Sequence, residues 1–166
     1  MASIRPDMTP NPLIIVGCGK GKQDQPCPAA DLYTGSYIRC AVRWARSVTT
    51  PDRLLILSAK YGLIPGTQVI APYHASWSNG GFAKEHGATE PTIPLAHLRE
   101  QVISLLPPGP VILLAGAIYH RNLFNASRGQ VQPYNPFATL ARQRFRDARL
   151  GYQASLLNEY HGRLPI

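Results

Sequence analysis

Three short apolar segments constrain the fold of this chain more than any other feature. They comprise residues 13–16, residues 53–57 (apolar after Arg53) and residues 111–114. Apolar runs of this length that do not alternate with polar residues are typical of strands buried on both faces. Because predicted helices separate the three segments, the pattern indicates an α/β fold, a three-layer sandwich around a mostly parallel sheet of about four strands.

Apolar side chains at helical spacing locate the other elements of the predicted sandwich. Helices are predicted over residues 36–48, 94–105, 119–126, 137–149 and 152–162. Ser36 is expected to cap the first of these helices and Thr92 the second. Residues 131–134 are predicted to form the fourth strand at an edge of the sheet, where Pro133 is tolerated.

The length of 166 residues predicts a single α/β domain, residues 1–166. Residues 1–12 are expected to form an irregular lead-in. Residues 75–92 are polar and lack periodicity, which predicts a mobile loop, since loops of this length inside compact domains are usually functional. No apolar run approaches the roughly 20 residues that span a bilayer, and residues 1–12 lack the apolar core of a signal peptide. We therefore expect no membrane partner and a cytoplasmic location.

The residues that follow each predicted strand are small, basic or aromatic. In an open α/β sheet, ligands bind at the carboxyl ends of the parallel strands, so these residues are predicted to form one binding site. They are Gly17, Cys18, Gly19, Lys20 and Lys22 after the first strand, Ser58, Lys60 and Tyr61 after the second, and Gly116, Tyr119 and His120 after the third. Loop residues near the same edge complete the set: Tyr33, Tyr73 and His74.

The few lysines of the chain favour an anionic ligand at this edge. Only four of the 17 basic residues are lysines, and Lys20, Lys22 and Lys60 all follow closely on predicted strands. The alternating glycines of the first loop expose backbone N–H groups, which also bind anions. Gln23 stands where a P-loop requires Ser or Thr, and Lys22 stands where the dinucleotide fingerprint requires its third glycine. No nucleotide cofactor of the usual kind is therefore expected, and a phosphate held in a non-standard loop is left open.

The balance of charge points to the same kind of ligand. A net charge of +8 and an isoelectric point near 9.8 indicate an anionic partner, and nucleic acid, DNA rather than RNA, is the most economical one. Arginines on one face of the predicted helices 36–48 and 137–149 are expected to be solvated or to track phosphates. Cys18, Cys27 and Cys40 are odd in number and lack Cys-x-x-Cys spacing, so neither a disulfide framework nor a metal site is expected.

An ordered series of motifs resembles a domain family of uncharacterised bacterial and phage proteins. The series consists of Cys18 with Lys22, the segments 28–35 (PAADLYTG), 57–63 (LSAKYGL), 71–73 (APY) and 114–116 (LAG), and Tyr119. That family is similar to the peroxide-stress protein YaaA and to a domain of archaeosine synthase, and the wider resemblance implies a uracil-DNA-glycosylase-like sandwich over residues 13–160. Gly19 stands where the family commonly has Ser, and the Gly-x-Asp-Pro-Tyr motif of uracil glycosylases has no true match here.

The first functional hypothesis is a nucleic-acid base-processing enzyme, specifically a DNA N-glycosidase that acts on a modified or damaged base. Cleavage of a glycosidic bond passes through an oxocarbenium-like state, which needs a carboxylate or water nearby and a donor to the departing base. Asp24 or Asp31 is expected to supply the carboxylate, and His120 to donate to the base. The lysines are expected to hold flanking phosphates, and the tyrosines or Trp77 to stack on an extruded base.

Two alternatives from other classes stay open. The first is a non-catalytic nucleic-acid-binding protein in repair or phage defence, for which the net charge and the arginine faces suffice. Salt-dependent binding without base release would favour it. The second is a hydrolase or transferase of a free nucleotide or sugar phosphate, which tight binding of a mononucleotide with little affinity for oligonucleotides would select.

Overall fold

The computed structural model describes residues 11–78, 81–82 and 90–165. Within these residues the central sheet contains β1 (Ile14–Gly17), β3 (Leu54–Ser58), β4 (Gly62–Pro65), β8 (Gly109–Leu114) and β9 (Val131–Tyr134). Two small ladders pair β2 (Cys27–Pro28) with β5 (Val69–Ile70) and β6 (Trp77–Ser78) with β7 (Gly81–Phe82). The helices are α1 (Ala29–Leu32), α2 (Ser36–Val48), α3 (Leu95–Leu105), α4 (Ala117–Ala126), α5 (Pro136–Phe145) and α6 (Leu150–Glu159).

The three predicted core strands lie side by side and run in the same direction. The strand order is β4-β3-β1-β8-β9, and β1 pairs in parallel with β3 and β8. In this register Gly17 lies opposite Leu57, and Val16 lies opposite Leu114. The carboxyl ends of β1, β3 and β8 therefore meet at one edge of the sheet, as predicted. The edge strand β9 is also confirmed, in parallel with β8.

The sheet has five strands rather than the predicted four. The additional strand, β4, runs antiparallel to β3 and lies at the opposite edge from β9. Its four residues begin with Gly62 and end with Pro65, two residue types that are depleted in strands. Its strand conformation comes from hairpin pairing with β3, for example Ile64 opposite Ile56, rather than from a local pattern.

Apolar side chains from both faces of the sheet form two cores. Ile14 and Val16 of β1 belong to one core, together with buried residues of α1, α2, α5 and α6. Ile15, between them, belongs to the other core with buried residues of α3 and α4. Because successive side chains of a strand point to opposite faces, helices cover the sheet on both sides. The α/β fold with a mostly parallel sheet between two helical layers is confirmed.

Ser36 and Thr92 do not cap their helices, contrary to prediction. Ser36 is itself the first residue of α2, and α3 begins three residues after Thr92; neither helix has a side-chain hydrogen bond at its cap. The side-chain cap is found at α5, where Asn135 accepts hydrogen bonds from two backbone N–H groups of the first turn. This helix ends at Phe145 rather than at residue 149, because Arg146 adopts a left-handed backbone conformation (φ 58°).

The predicted loop 75–92 contains a two-stranded ladder. Trp77 pairs with Phe82 across the β6–β7 ladder, and Ala75 is buried, although the polar sequence favours neither. Residues 79–80 and 83–89 of this segment, like residues 1–10 of the predicted lead-in, lie outside the described residues. Among the described helices, none combines the length and apolar character needed to cross a bilayer.

Candidate functional site

The glycines at the carboxyl edge of the sheet have different structural roles. A Cβ atom on Gly17 would lie 2.6 Å from the Cβ of Ala115, so this glycine allows β1 and the segment after β8 to pack closely. A Cβ on Gly19 would collide with the side chain of Ile38, so this glycine serves helix packing. Gly116 has open space around it and occupies the N-cap position of α4. Of the three, Gly116 leaves the most room for an approaching ligand.

A buried network of hydroxyl groups, the hydroxyl cluster, lies at this edge and consists of Ser58, Tyr33 and Tyr73. The Ser58 hydroxyl donates a hydrogen bond of 2.7 Å to the Tyr73 Oη, which lies 2.6 Å from the Tyr33 Oη. Ser58 in turn accepts hydrogen bonds from the backbone N–H groups of Lys60 and Tyr61. All three cluster residues are at most 2% exposed. Their positions are therefore fixed by packing and by hydrogen bonds from the β3–β4 turn.

A thiol and a third tyrosine lie beside this network. The Cys18 Sγ lies 2.9 Å from the Tyr119 Oη and accepts a hydrogen bond of 3.4 Å from the backbone N–H of Ala59. The Tyr119 ring packs edge-on against Trp77, with 5.1 Å between ring centroids. Residues that follow β1, β3 and β8 thus contact one another, as the topology predicts.

Burial keeps the tyrosines of this site protonated. It raises the pKa values of Tyr33, Tyr73 and Tyr119 well above their usual range, and the neighbouring Cys18 contributes in the same direction. At neutral pH these phenols are therefore hydrogen-bond donors rather than anions. The site carries its positive charge on a lysine next to neutral hydroxyls.

That lysine is Lys22. Its Nζ lies 4.4 Å from the centroid of the Tyr73 ring and 5.9 Å from that of Tyr33, and a backbone bridge joins Lys22 to Tyr33. Burial lowers the pKa of Lys22, while the charges of Cys18 and Glu90 partly offset this effect. A partly desolvated amine over an aromatic face interacts with an incoming anion more strongly than a fully hydrated one. Lys20, by contrast, is exposed.

A carboxylate not predicted from the sequence, Glu90, lies at the margin of the site. Its Oε1 is 2.5 Å from the Lys60 Nζ, and its Oε2 accepts a hydrogen bond of 2.6 Å from the backbone N–H of His74. These two hydrogen bonds lower the pKa of Glu90, and the same ion pair raises that of Lys60. Because the folded state lowers the pKa of Glu90, its stabilising contribution is present above the ordinary pKa of a glutamate and is lost as pH falls.

The structure brings most of the predicted site residues together. Cys18, Lys22, Tyr33, Ser58, Tyr73 and Tyr119 share contacts, and Lys60, Tyr61 and His74 adjoin them. The sequence signal for this set is its position after parallel strands. For Glu90 the available signal is the scarcity of acidic side chains, nine in the chain, which did not distinguish it from the others.

None of the three residues predicted to be catalytic forms a side-chain hydrogen bond with the hydroxyl cluster in the described part of the chain. Asp31 is exposed, and its carboxylate forms an ion pair of 2.9 Å with Arg46 of α2. Asp24 is exposed and makes no side-chain hydrogen bond within the described part of the chain. The His120 Nδ1 lies 3.4 Å from the carbonyl of Pro133 in β9. Their catalytic roles stay predictions. Among the described carboxylates, Glu90 is the one whose charge acts on the pKa of Lys22.

Comparisons with known proteins identify the family of this chain. No curated protein and no solved structure matches it, so the resemblance to YaaA, to archaeosine synthase and to uracil-DNA glycosylases stays a prediction. A family model matches residues 13–158. This range includes the whole central sheet, the hydroxyl cluster, Lys22 and Glu90. The chain therefore belongs to the family of unknown function DUF6884.

Proposed function

We propose that this protein is a nucleic-acid base-processing enzyme, specifically a DNA N-glycosidase that removes a modified or damaged base. The observation that carries the proposal is the position of the Lys22 amine, 4.4 Å above the Tyr73 ring, where the carboxyl ends of three parallel strands meet. A positive charge at this edge attracts the phosphates of a nucleotide. The net charge of +8 favours the same ligand.

The chemistry of glycosidic cleavage assigns roles to the groups near Lys22. Water supplies the hydroxyl group that replaces the base on the sugar carbon and the proton that the departing base takes up. As the bond breaks, positive charge develops on the sugar and negative charge on the departing base. The ionised carboxylate of Glu90 can stabilise the positive charge on the sugar, and the Lys22 ammonium can stabilise the negative charge on the base. Tyr61 is partly exposed beside the buried Tyr73 ring and offers a surface on which an extruded base can stack.

The test is base release from a panel of oligonucleotides that each carry one modified or damaged base, with abasic sites detected by alkaline strand cleavage. Wild-type protein is expected to release a base from at least one substrate. On that substrate Glu90→Gln should slow release by about 10²-fold, the usual size of a lost electrostatic contact in a transition state. Asp52→Asn is the matched control: it removes a carboxylate from an exposed position just before β3 and should retain near-wild-type rates. Asp24→Asn and Asp31→Asn are measured in parallel, because the sequence predicts catalytic roles for both carboxylates.

Other outcomes identify the alternatives. Salt-dependent binding of every oligonucleotide without base release would contradict the enzymatic proposal and favour a non-catalytic nucleic-acid-binding protein. Tight binding of a mononucleotide with little affinity for oligonucleotides would select a hydrolase or transferase of free nucleotides. If Asp31→Asn lost activity and Glu90→Gln kept full activity, the reaction would be assigned to Asp31 rather than to the site at Lys22 and Glu90.

A further inference from the structure

A pocket of about 510 Å³ lies on the outer face of α2, next to the candidate site. Arg39, Arg43 and Arg46 line it, together with Gln23 and Asp31. These arginines are spaced four and three residues apart, so they lie on one side of the helix. Arginines on an exposed helix face are usually only solvated, but here they surround a concave space, as binding sites do.

The pocket has an uncompensated positive charge. Asp31 forms its ion pair with Arg46, and no ion pair of the described residues involves Arg39 or Arg43. Two guanidinium groups therefore remain to attract an anion. Guanidinium groups suit phosphate in particular, because their planar N–H donors can bind two phosphate oxygens at once.

The wall of the pocket continues directly into the candidate site. Gln23 follows Lys22 in the chain; its backbone N–H donates to the carbonyl of Leu32 and its side-chain amide donates to the carbonyl of Asp31. Tyr33 lines the pocket while its hydroxyl belongs to the hydroxyl cluster. A ligand that reaches Lys22 can thus extend into the pocket across a segment held by backbone hydrogen bonds.

We propose that this pocket binds the backbone phosphates of a locally unpaired nucleic-acid strand whose target nucleotide lies at Lys22, an inference that rests on the proposed function. Enzymes that process a base act on a nucleotide outside the helical stack, so the strand beside it is open to contact. Arg39 and Arg46 are about 10 Å apart along the helix axis. A stacked strand advances about 3.4 Å along its axis per phosphate, so this length spans about three phosphate intervals.

The test measures binding of a short fluorescent oligodeoxynucleotide by anisotropy over a range of salt concentrations. The double variant Arg39→Gln/Arg43→Gln should lower the slope of log K against log salt by about 1.4, at about 0.7 per phosphate contact on a single strand. If the plots of log K against log salt for the wild type and the double variant meet near 1 M salt, the affinity of the variant at 0.1 M salt is about 25-fold lower than that of the wild type. Arg39→Lys/Arg43→Lys keeps both charges and should keep most of the slope.

The matched control is Arg121→Gln/Arg128→Gln, which removes the same charge from exposed positions on α4 and just after it. Equal losses of affinity and of salt slope in the two double variants would overturn the proposed phosphate site, because such losses would reflect net charge alone. The proposal would also be overturned if pyrophosphate displaced the labelled oligonucleotide at the same concentration as unlabelled oligonucleotide does, since a free phosphate would then be the ligand. Base release is measured separately: weaker binding by the pocket variant with no release by any protein would refute the enzyme and retain the pocket.

Discussion

We expect Lys22→Met to lower the rate of the proposed base release by about 10²- to 10³-fold, the cost of removing a preorganised electrostatic contact from a transition state. The reason is the environment of the amine rather than its charge alone. Lys22 is partly buried over the Tyr73 ring, where low dielectric strengthens its interaction with an anion. Methionine retains the apolar stem of lysine, so the packing against Tyr73 is preserved.

The matched control for this prediction is Lys20→Met. Lys20 lies in the same loop and the substitution removes the same charge, but its side chain is exposed, so salt screens its effect. The contact that Lys22 makes with Lys20 uses the backbone carbonyl, which the substitution keeps. Single-turnover rates on the best substrate provide the measurement. Equal losses in the two variants would contradict a special role for Lys22.

We expect Trp44→Ala to lower the free energy of unfolding by about 3–5 kcal/mol, the range found when a large buried aromatic side chain is truncated. Trp44 of α2 is 1% exposed and packs edge-on against Phe137 of α5. Its indole Nε1 donates to the carbonyls of Tyr160 and Arg163, at 3.1 and 3.0 Å. One side chain therefore joins α2, α5 and the segment after α6.

The conservative variant Trp44→Phe separates packing from hydrogen bonding. It keeps an aromatic ring and loses the indole donor, so a smaller loss of about 1–2 kcal/mol is expected. Urea unfolding followed by circular dichroism measures both variants. A loss in Trp44→Ala no greater than that in Trp44→Phe would show that packing of this ring does not hold the helices together.

The parallel core was predictable because its strands carry a local signal. Residues of β1, β3 and β8 are buried on both faces, and such strands read as continuous apolar runs. The strand β4 carries no such signal, since its conformation depends on pairing with β3. The same reason explains the ladder of Trp77 with Phe82. Strand pairing depends on tertiary contacts, and short strands with glycine or proline carry no local sequence pattern that predicts it.

The sequence predicts which edge of the sheet carries the candidate site, but it does not predict all of the side chains found there. Position after a parallel strand placed Cys18, Ser58 and Tyr119 correctly, although Cys18 and Tyr119 are 101 residues apart. The predicted site does not include Glu90, because its partners Lys60 and His74 lie 30 and 16 residues away in the sequence. Proximity to β1 suggested Asp31, but its side chain pairs with Arg46 on the surface.

The position of the ligand on the fold is tested most directly by nuclear magnetic resonance. Isotope-labelled protein is titrated with an oligonucleotide that carries a non-cleavable abasic analogue, and changes in backbone amide shifts are mapped. We expect the largest changes at residues 17–23 and 58–61 and at the N-terminus of α4, where the strand ends meet. Changes confined to the outer faces of α3 and α6, with the strand-end amides unmoved, would contradict a nucleic-acid site at Lys22.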